Sequence, residues 1–326
     1  MPRDDRVIEA GGRLLGEVSD PVIRLRLLRD VLCKPPENQA LVEARKGLDD
    51  HRHIIALAEE QWEDGSWGRL HSKDYNAGQK ISTTEAGVAR AIHLGLDKDH
   101  PILKKASQYL LSVLETGECR DRPEKNDRWE TGLRLIAAST LAKIEPRHPA
   151  LDEIWALWLE IIERAFASGD YDEDAEVQAH KELTGASVRG SYLTLDNKYT
   201  LGLMSSRVSE MPPGVEEALV QFIWNLDKGV GYLNVGVSLP PAMKSGPIDR
   251  WFASHELLSR FPTWRRLAGE TVEWLWGMCT EERWDFGPKS PTSEVMPLSE
   301  NWRRGNARQI DWTTRMLLLL GAYYHY

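Results

Sequence analysis

The sequence predicts an all-α protein, and within that class an (α/α)6 toroid of alternating inner and outer helices. Three observations lead there. Helical periodicity runs through nearly the whole chain, while the few β-branched runs are too short or too interrupted to build a sheet. Alternate helices share an opening signature. The helices between them carry a second pattern, an apolar stripe opposite a charged face.

The periodicity places helices at 6–17, 21–32, 39–62, 84–94, 101–114, 128–144, 150–167, 198–207, 214–225, 250–260, 263–278 and 312–324. The shared opening is seen in "STTEAGVARAIHLGL" from Ser82, "NDRWETGLRLIAASTL" from Asn126, "DNKYTLGLMSS" from Asp196, "DRWFASHELLSRF" from Asp249 and "DWTTRMLLLLGAYY" from Asp311. Each starts on a capping residue and runs into an apolar body, most with an aromatic close behind the cap. "DPVIRLRLLRDVL" from Asp20 adds a sixth copy with proline at the first helical position. "LDEIWALWLEIIERAF" and "WRRLAGETVEWLWGM" represent the amphipathic class.

About six helices buried all round, alternating with about six that face water on one side, are what a closed double ring needs. Helix 6–17 then completes the outer ring beside the last helix. An open solenoid would end in a polar capping repeat, whereas "MLLLLGAYY" is strongly apolar. The chain therefore reads as a single domain, 1–326, with a longer acidic connection at about 168–196.

Composition narrows the function classes. With 326 residues, 41% of them hydrophobic, the chain can bury a large core. A net charge of −9 argues against non-specific nucleic-acid binding, which needs a basic surface. The opening "MPRDDRVIEAGG" has charges where a secretory signal has its apolar region, and no apolar run is long enough for a membrane span, so a cytoplasmic protein is expected. Cys33, Cys119 and Cys279 are too far apart to form a disulfide framework or a zinc module and read as reduced and inert.

The stretch "EEQWEDGSWG" spends two tryptophans on a polar turn after an amphipathic helix. Gln61, Gly65 and Trp67 have the spacing of the QW repeat, which resembles that of squalene and hopene cyclases and, more loosely, the toroidal subunits of protein prenyltransferases. In that family the glutamine caps helix ends and the tryptophan seals neighbouring outer helices, so the resemblance implies a structural role for Trp67. Degenerate copies stand at "NLDKGVGY" from Asn225 and "CTEERWDFG" from Cys279. The family's Asp-x-Asp-Asp acid motif is absent, and no cysteine has an aspartate two residues before it, so the prenyltransferase zinc site is not expected. The nearest acidic run, "SGDYDEDAEVQAH", reads as a solvated loop or helix start. Asp170, Asp172 and Asp174 there suit at most weak binding of magnesium, the sole cofactor the sequence offers.

The inner-helix starts would gather round one mouth of the ring. This gives Asp127, Asp249, Glu85 and Asp311 as candidate catalytic acids. Trp129, Trp251, Trp312, Tyr199, Arg128, Arg250, Lys198, His255 and His71 are the candidate binding residues for a small-molecule substrate. The resemblance implies a lyase or cyclase acting on an isoprenoid, with the aromatic rings stabilising a carbocation and a desolvated acid such as Glu85 donating a proton. The charge density of the same mouth supports the alternative, a carbohydrate-active toroid with rings stacking on sugars and His71, His255 or a Tyr–Glu pair moving protons. The QW motif and the nearly complete ring tip the reading toward the isoprenoid. A binding protein without chemistry is the third class.

Overall fold

The computed structural model describes residues 5–324, and within them every regular element is a helix, apart from isolated bridges. The first four and last two residues, which the single-domain reading includes, lie outside this part. No helix among the described residues is long and apolar enough to cross a membrane.

The chain opens with α1 (Asp5–Glu17) and α2 (Pro21–Arg26). Asp20 caps α2 by accepting the N–H groups of Val22 and Ile23, with Pro21 at the first position, and the helix runs on through a π-turn at Leu27–Val31. The helix expected over 39–62 is instead two, α3 (Gln39–Lys46) and α4 (Arg52–Glu60), because the chain turns at 47–51 and His51 caps the second. Then come α5 (Thr84–His93), α6 (Pro101–Thr116), α7 (Trp129–Ala142) and α8 (Asp152–Ala165). The acidic connection folds as α9 (Glu173–Leu183), started by Asp172 accepting the N–H groups of Asp174 and Ala175. The remainder is α10 (Lys198–Met204), α11 (Pro213–Asn225), α12 (Ser245–Leu258), α13 (Pro262–Leu267), α14 (Gly269–Gly277) and α15 (Ala307–Tyr324).

Two helix classes are present. In α10 every residue from Tyr199 to Met204 is buried, and in α15 so is every residue from Asp311 to Leu317. In α8 only the stripe Ile154, Trp155, Trp158, Ile161, Ile162 and Ala165 is buried, at helical spacing. The first class forms a succession of neighbours: α5 packs on α7, α7 on α10, and α10 on α12. Arg315 of α15 then reaches Asp249 and Glu256 of α12, while α15 also packs on α2. Arg26 and Arg29 return to α5, donating to the carbonyls of His93 and Gly95. The second class flanks the first, with α4 on α5, α6 on α5 and α7, α8 on α7 and α10, α14 on α15, and α1 on α15.

Two joints between amphipathic and buried helices share one construction. At the first, the indole N–H of Trp67 donates to the Leu57 carbonyl of α4 at 3.0 Å, and its main-chain N–H donates to the Thr84 hydroxyl of α5 at 3.1 Å. At the second, Trp284 makes the same pair of bonds, to the Leu275 carbonyl of α14 at 2.7 Å and the Thr313 hydroxyl of α15 at 3.1 Å. Both indoles are fully buried. Gln61 donates to the Gly65 and Ile102 carbonyls, tying the first turn to the start of α6. Gly65 takes a positive φ of 87° against the Lys105 backbone, where a Cβ has no room, and Gly87 presents its bare Cα to the face of Trp67.

Candidate functional site

Glu85 is the second residue of α5, just behind its cap Thr83. Its side chain is buried and meets three partners drawn from distant parts of the chain. The Tyr199 hydroxyl donates to Oε2 at 2.6 Å, His71 Nδ1 lies 3.1 Å from Oε1, and Lys198 Nζ lies 3.9 Å from Oε1. His71 Nδ1 is also 2.9 Å from the Tyr199 hydroxyl, so imidazole, carboxylate and phenol form a triangle. Tyr232 closes it, its ring edge-on to both His71 and Tyr199.

The electrostatics follow from this geometry. Burial pushes the Glu85 carboxyl up, but the Lys198 charge, the His71 contact and the Tyr199 hydrogen bond outweigh it and hold the group at about 2. A position in the first turn of α5 adds the favourable helix dipole. Burial likewise lowers His71, yet its bond to Glu85 and that carboxylate's charge prevail and raise it. Tyr199 is raised well above its ordinary value by burial and by Glu85. Glu85 is thus a fixed anion and His71 the group whose proton is poised to move.

The local fold explains why these residues meet. Asp121, buried, accepts the main-chain N–H groups of Leu70, His71 and Ser72 and the Ser72 hydroxyl, at 2.5 to 3.1 Å, and so fixes the segment that carries His71. Asn197 caps α10 through the N–H groups of Tyr199 and Thr200, placing Lys198 and Tyr199 side by side at that helix start. His71 lines a cavity of about 80 Å³. Three aromatic rings, Trp129, Tyr192 and Tyr232, face the same space, with Arg122 and Glu124 beside them.

Of the candidates, the structure places His71 and Trp129 on this cavity and Glu85, Tyr199 and Lys198 around His71, and it sends the others elsewhere. α12 and α15 begin about one turn before the expected starts at 250 and 312, so Asp249 and Asp311 are interior residues of their helices rather than caps. Asp249 and Glu256 grip the buried Arg315, with contacts of 2.6 and 2.5 Å. Asp311 accepts the N–H groups of Leu298 and Ser299 and the Trp302 indole, and burial pushes its carboxyl up to about 6 against those bonds.

The tryptophans expected to bind a ligand are sealed. Trp251 and Trp312 are fully buried, and their indole N–H groups donate to the carbonyls of Val237 and Gly287. His255, equally buried, accepts from the Trp264 indole and bonds the Val237 carbonyl, and desolvation takes it down to about 3. Asp127 is exposed and bonds Ser187 instead of capping α7, whose first turn follows Arg128 without a side-chain cap. Arg128 donates to the Ser187 carbonyl, and Arg250 lies half-buried with its Nε unpartnered.

The acidic connection does not assemble a cation site. Asp172 is spent on the α9 cap and Asp174 pairs with Arg189. Among the described residues no group of three or more His, Cys, Asp or Glu is placed to share a metal ion.

Tyr192, Tyr232, Arg122 and Glu124 are the site residues that sequence reasoning passes over. Only Tyr232 carried a signal, as the aromatic ending the degenerate repeat "NLDKGVGY". Comparison of the chain with protein-family models, with curated proteins and with solved structures found no match.

Proposed function

We propose that the chain is an (α/α)6 toroid of the terpenoid-cyclase kind in architecture, formed as one domain, and that it performs acid–base chemistry of the lyase type on a hydroxyl- and carboxylate-bearing, saccharide-like small molecule. The toroid reading is supported by the succession of buried helices from α2 back to α2 and by α1 packing on α15. The twin joints at Trp67 and Trp284 support a repeated scaffold.

One observation carries the functional reading: an ionised Glu85, itself bonded by Tyr199, holds His71 at the edge of a cavity that the rings of Trp129, Tyr192 and Tyr232 line in part. A carboxylate that orients an imidazole and raises its basicity is the usual support for a general acid–base histidine. Trp129, Tyr192 and Tyr232 supply aromatic lining suited to a sugar, and Arg122 offers a partner for a carboxylate. Hydrolysis through two carboxylates is the less economical choice, since Asp121 is committed to main-chain N–H groups and Glu124 to Asn126 and Tyr192.

The isoprenoid alternative keeps the support of the tryptophan joints, which concern the scaffold. Its chemistry needs an acid that stays protonated beside an apolar wall. A carboxyl held at about 2 is a poor candidate for that role.

The test is turnover of uronate-containing and neutral oligosaccharides, followed by the ultraviolet absorbance of a new double bond, with isoprenoid diphosphates run in parallel. The wild type is expected to act on a uronate substrate and His71→Gln to lose that activity with the fold retained. Unchanged turnover in His71→Gln, or activity confined to the isoprenoids, would overturn the proposal.

A further inference from the structure

A second recess lies on another side of α5, between the segments 73–82 and 289–297, with a volume of about 520 Å³. Ala86 and Arg90, one turn apart on α5, form part of its wall, whereas Glu85 faces His71 and Tyr199. The recess is therefore separate from the acid–base cavity, although its Lys73 stands two residues from His71 on the same segment.

Its charge is unusual for a protein of net charge −9. Lys73, Lys80, Arg90 and Lys289 all line it, against Glu60 and Glu294. Glu60 Oε2 is occupied by the main-chain N–H groups of Lys80 and Ile81, at 2.9 and 2.8 Å. Among the described residues none of the four cations has a carboxylate within ion-pair distance. Arg90 is the most exacting of them: Nη2 donates to the Pro297 carbonyl, while the buried Nη1 has no partner. Burial lowers its pKa to about 10, with the charge of Asp311 opposing. A buried guanidinium with no carboxylate in contact is costly, and an anion held in the recess beside it would lower that cost.

We propose that this recess binds a compact polyanion, a small molecule bearing phosphate or several carboxylates, held by Arg90 at the wall and by Lys73, Lys80 and Lys289 at the rim. The volume falls within the range of small-molecule sites, roughly 300 to 1,000 Å³, and the two flanking segments make the space concave rather than a flat face for a macromolecule. The site stands independently of the acid–base reading.

Calorimetric titration of the full chain with inorganic phosphate and with citrate, at matched ionic strength, tests this. Saturable binding of one anion per chain is expected, and the stronger of the two ligands tells phosphate from carboxylate chemistry. Arg90→Gln should abolish binding. Because that change touches a buried wall, Lys80→Ala with Lys289→Ala, both on exposed side chains, provides the second arm and should weaken binding roughly tenfold with melting unchanged. His71→Gln should bind as the wild type does. Absence of saturable binding of either anion, wild-type affinity in the double lysine variant, or loss of binding in His71→Gln would each overturn the proposal.

Discussion

The joint between α4 and α5 and the joint between α14 and α15 use the same parts in the same order. Each has a tryptophan whose indole bonds the end of an amphipathic helix and whose main chain bonds a threonine on the following buried helix. They part at the next residue. After Thr84 comes Glu85, which reaches out to His71, Lys198 and Tyr199; after Thr313 comes Thr314, whose hydroxyl folds back to the Ile310 carbonyl at 2.9 Å. The joint repeats, and the triangle of Glu85, His71 and Tyr199 is a departure from the repeat at one position.

Their neighbouring carboxylates differ in the same sense. Asp121 pins the segment 70–72 beside the first joint, and Asp311 pins 298–302 beside the second, each through successive main-chain N–H groups. The first pinned segment presents His71 to a cavity. The second lays Trp302 on Asp311, and its one acid, Glu300, accepts the Arg52 main-chain N–H at the start of α4 at 2.8 Å.

The largest effects should appear where the two joints are alike. Trp67→Ala and Trp284→Ala each remove a fully buried indole, and each should cost about 3 to 5 kcal/mol in denaturant unfolding, with little change in ligand affinity per folded molecule. A cost at one joint and none at the other would break the equivalence. Thr84→Val and Thr313→Val leave the buried N–H of Trp67 or Trp284 without its acceptor, at about 1 to 3 kcal/mol apiece. Matching values would sharpen the comparison, since the two valines differ only in what surrounds the joint.

Glu85→Gln probes the difference itself and should act locally. Without the carboxylate, burial is the dominant influence on His71, so its pKa should fall from above 6.5 to below it in an NMR titration. The stability lost has a definite pH window. A carboxyl depressed to about 2 stabilises the fold above its ordinary 4.5 and loses that contribution as pH falls toward 2. A raised imidazole contributes fully below 6.5 and loses its share as pH rises through the folded value. The difference between wild type and Glu85→Gln should therefore peak between about pH 4.5 and 6.5. A difference independent of pH would mean that the triangle does not carry its charge as described.

Outside both joints the expectation is smallest. Asp172→Asn with Asp174→Asn keeps a competent cap on α9 and removes one exposed pair with Arg189, so unfolding should shift by no more than about 0.5 kcal/mol. Turnover, once a substrate is in hand, should stay near the wild-type value.

Local chemistry was enough for part of this molecule. The all-α class and the two kinds of helix follow from periodicity and capping residues, which act within a few residues of one another, whereas the structural use of Trp67 was what the resemblance to the QW repeat implied. Helix boundaries were less legible: α12 and α15 start about a turn early, and that shift alone moves Asp249 and Asp311 from cap positions into the interior, where Arg315 and main-chain N–H groups claim them. The site depended on the tertiary structure. His71, Glu85 and Tyr199 are separated by 14 and 114 residues, and no local pattern records that loop 70–72 is tied by Asp121 or that Tyr232 packs edge-on to His71 and Tyr199. Their ionisation was decided there too, because a carboxyl in the first turn of a helix is an ordinary acid until burial and three converging partners set its proton affinity.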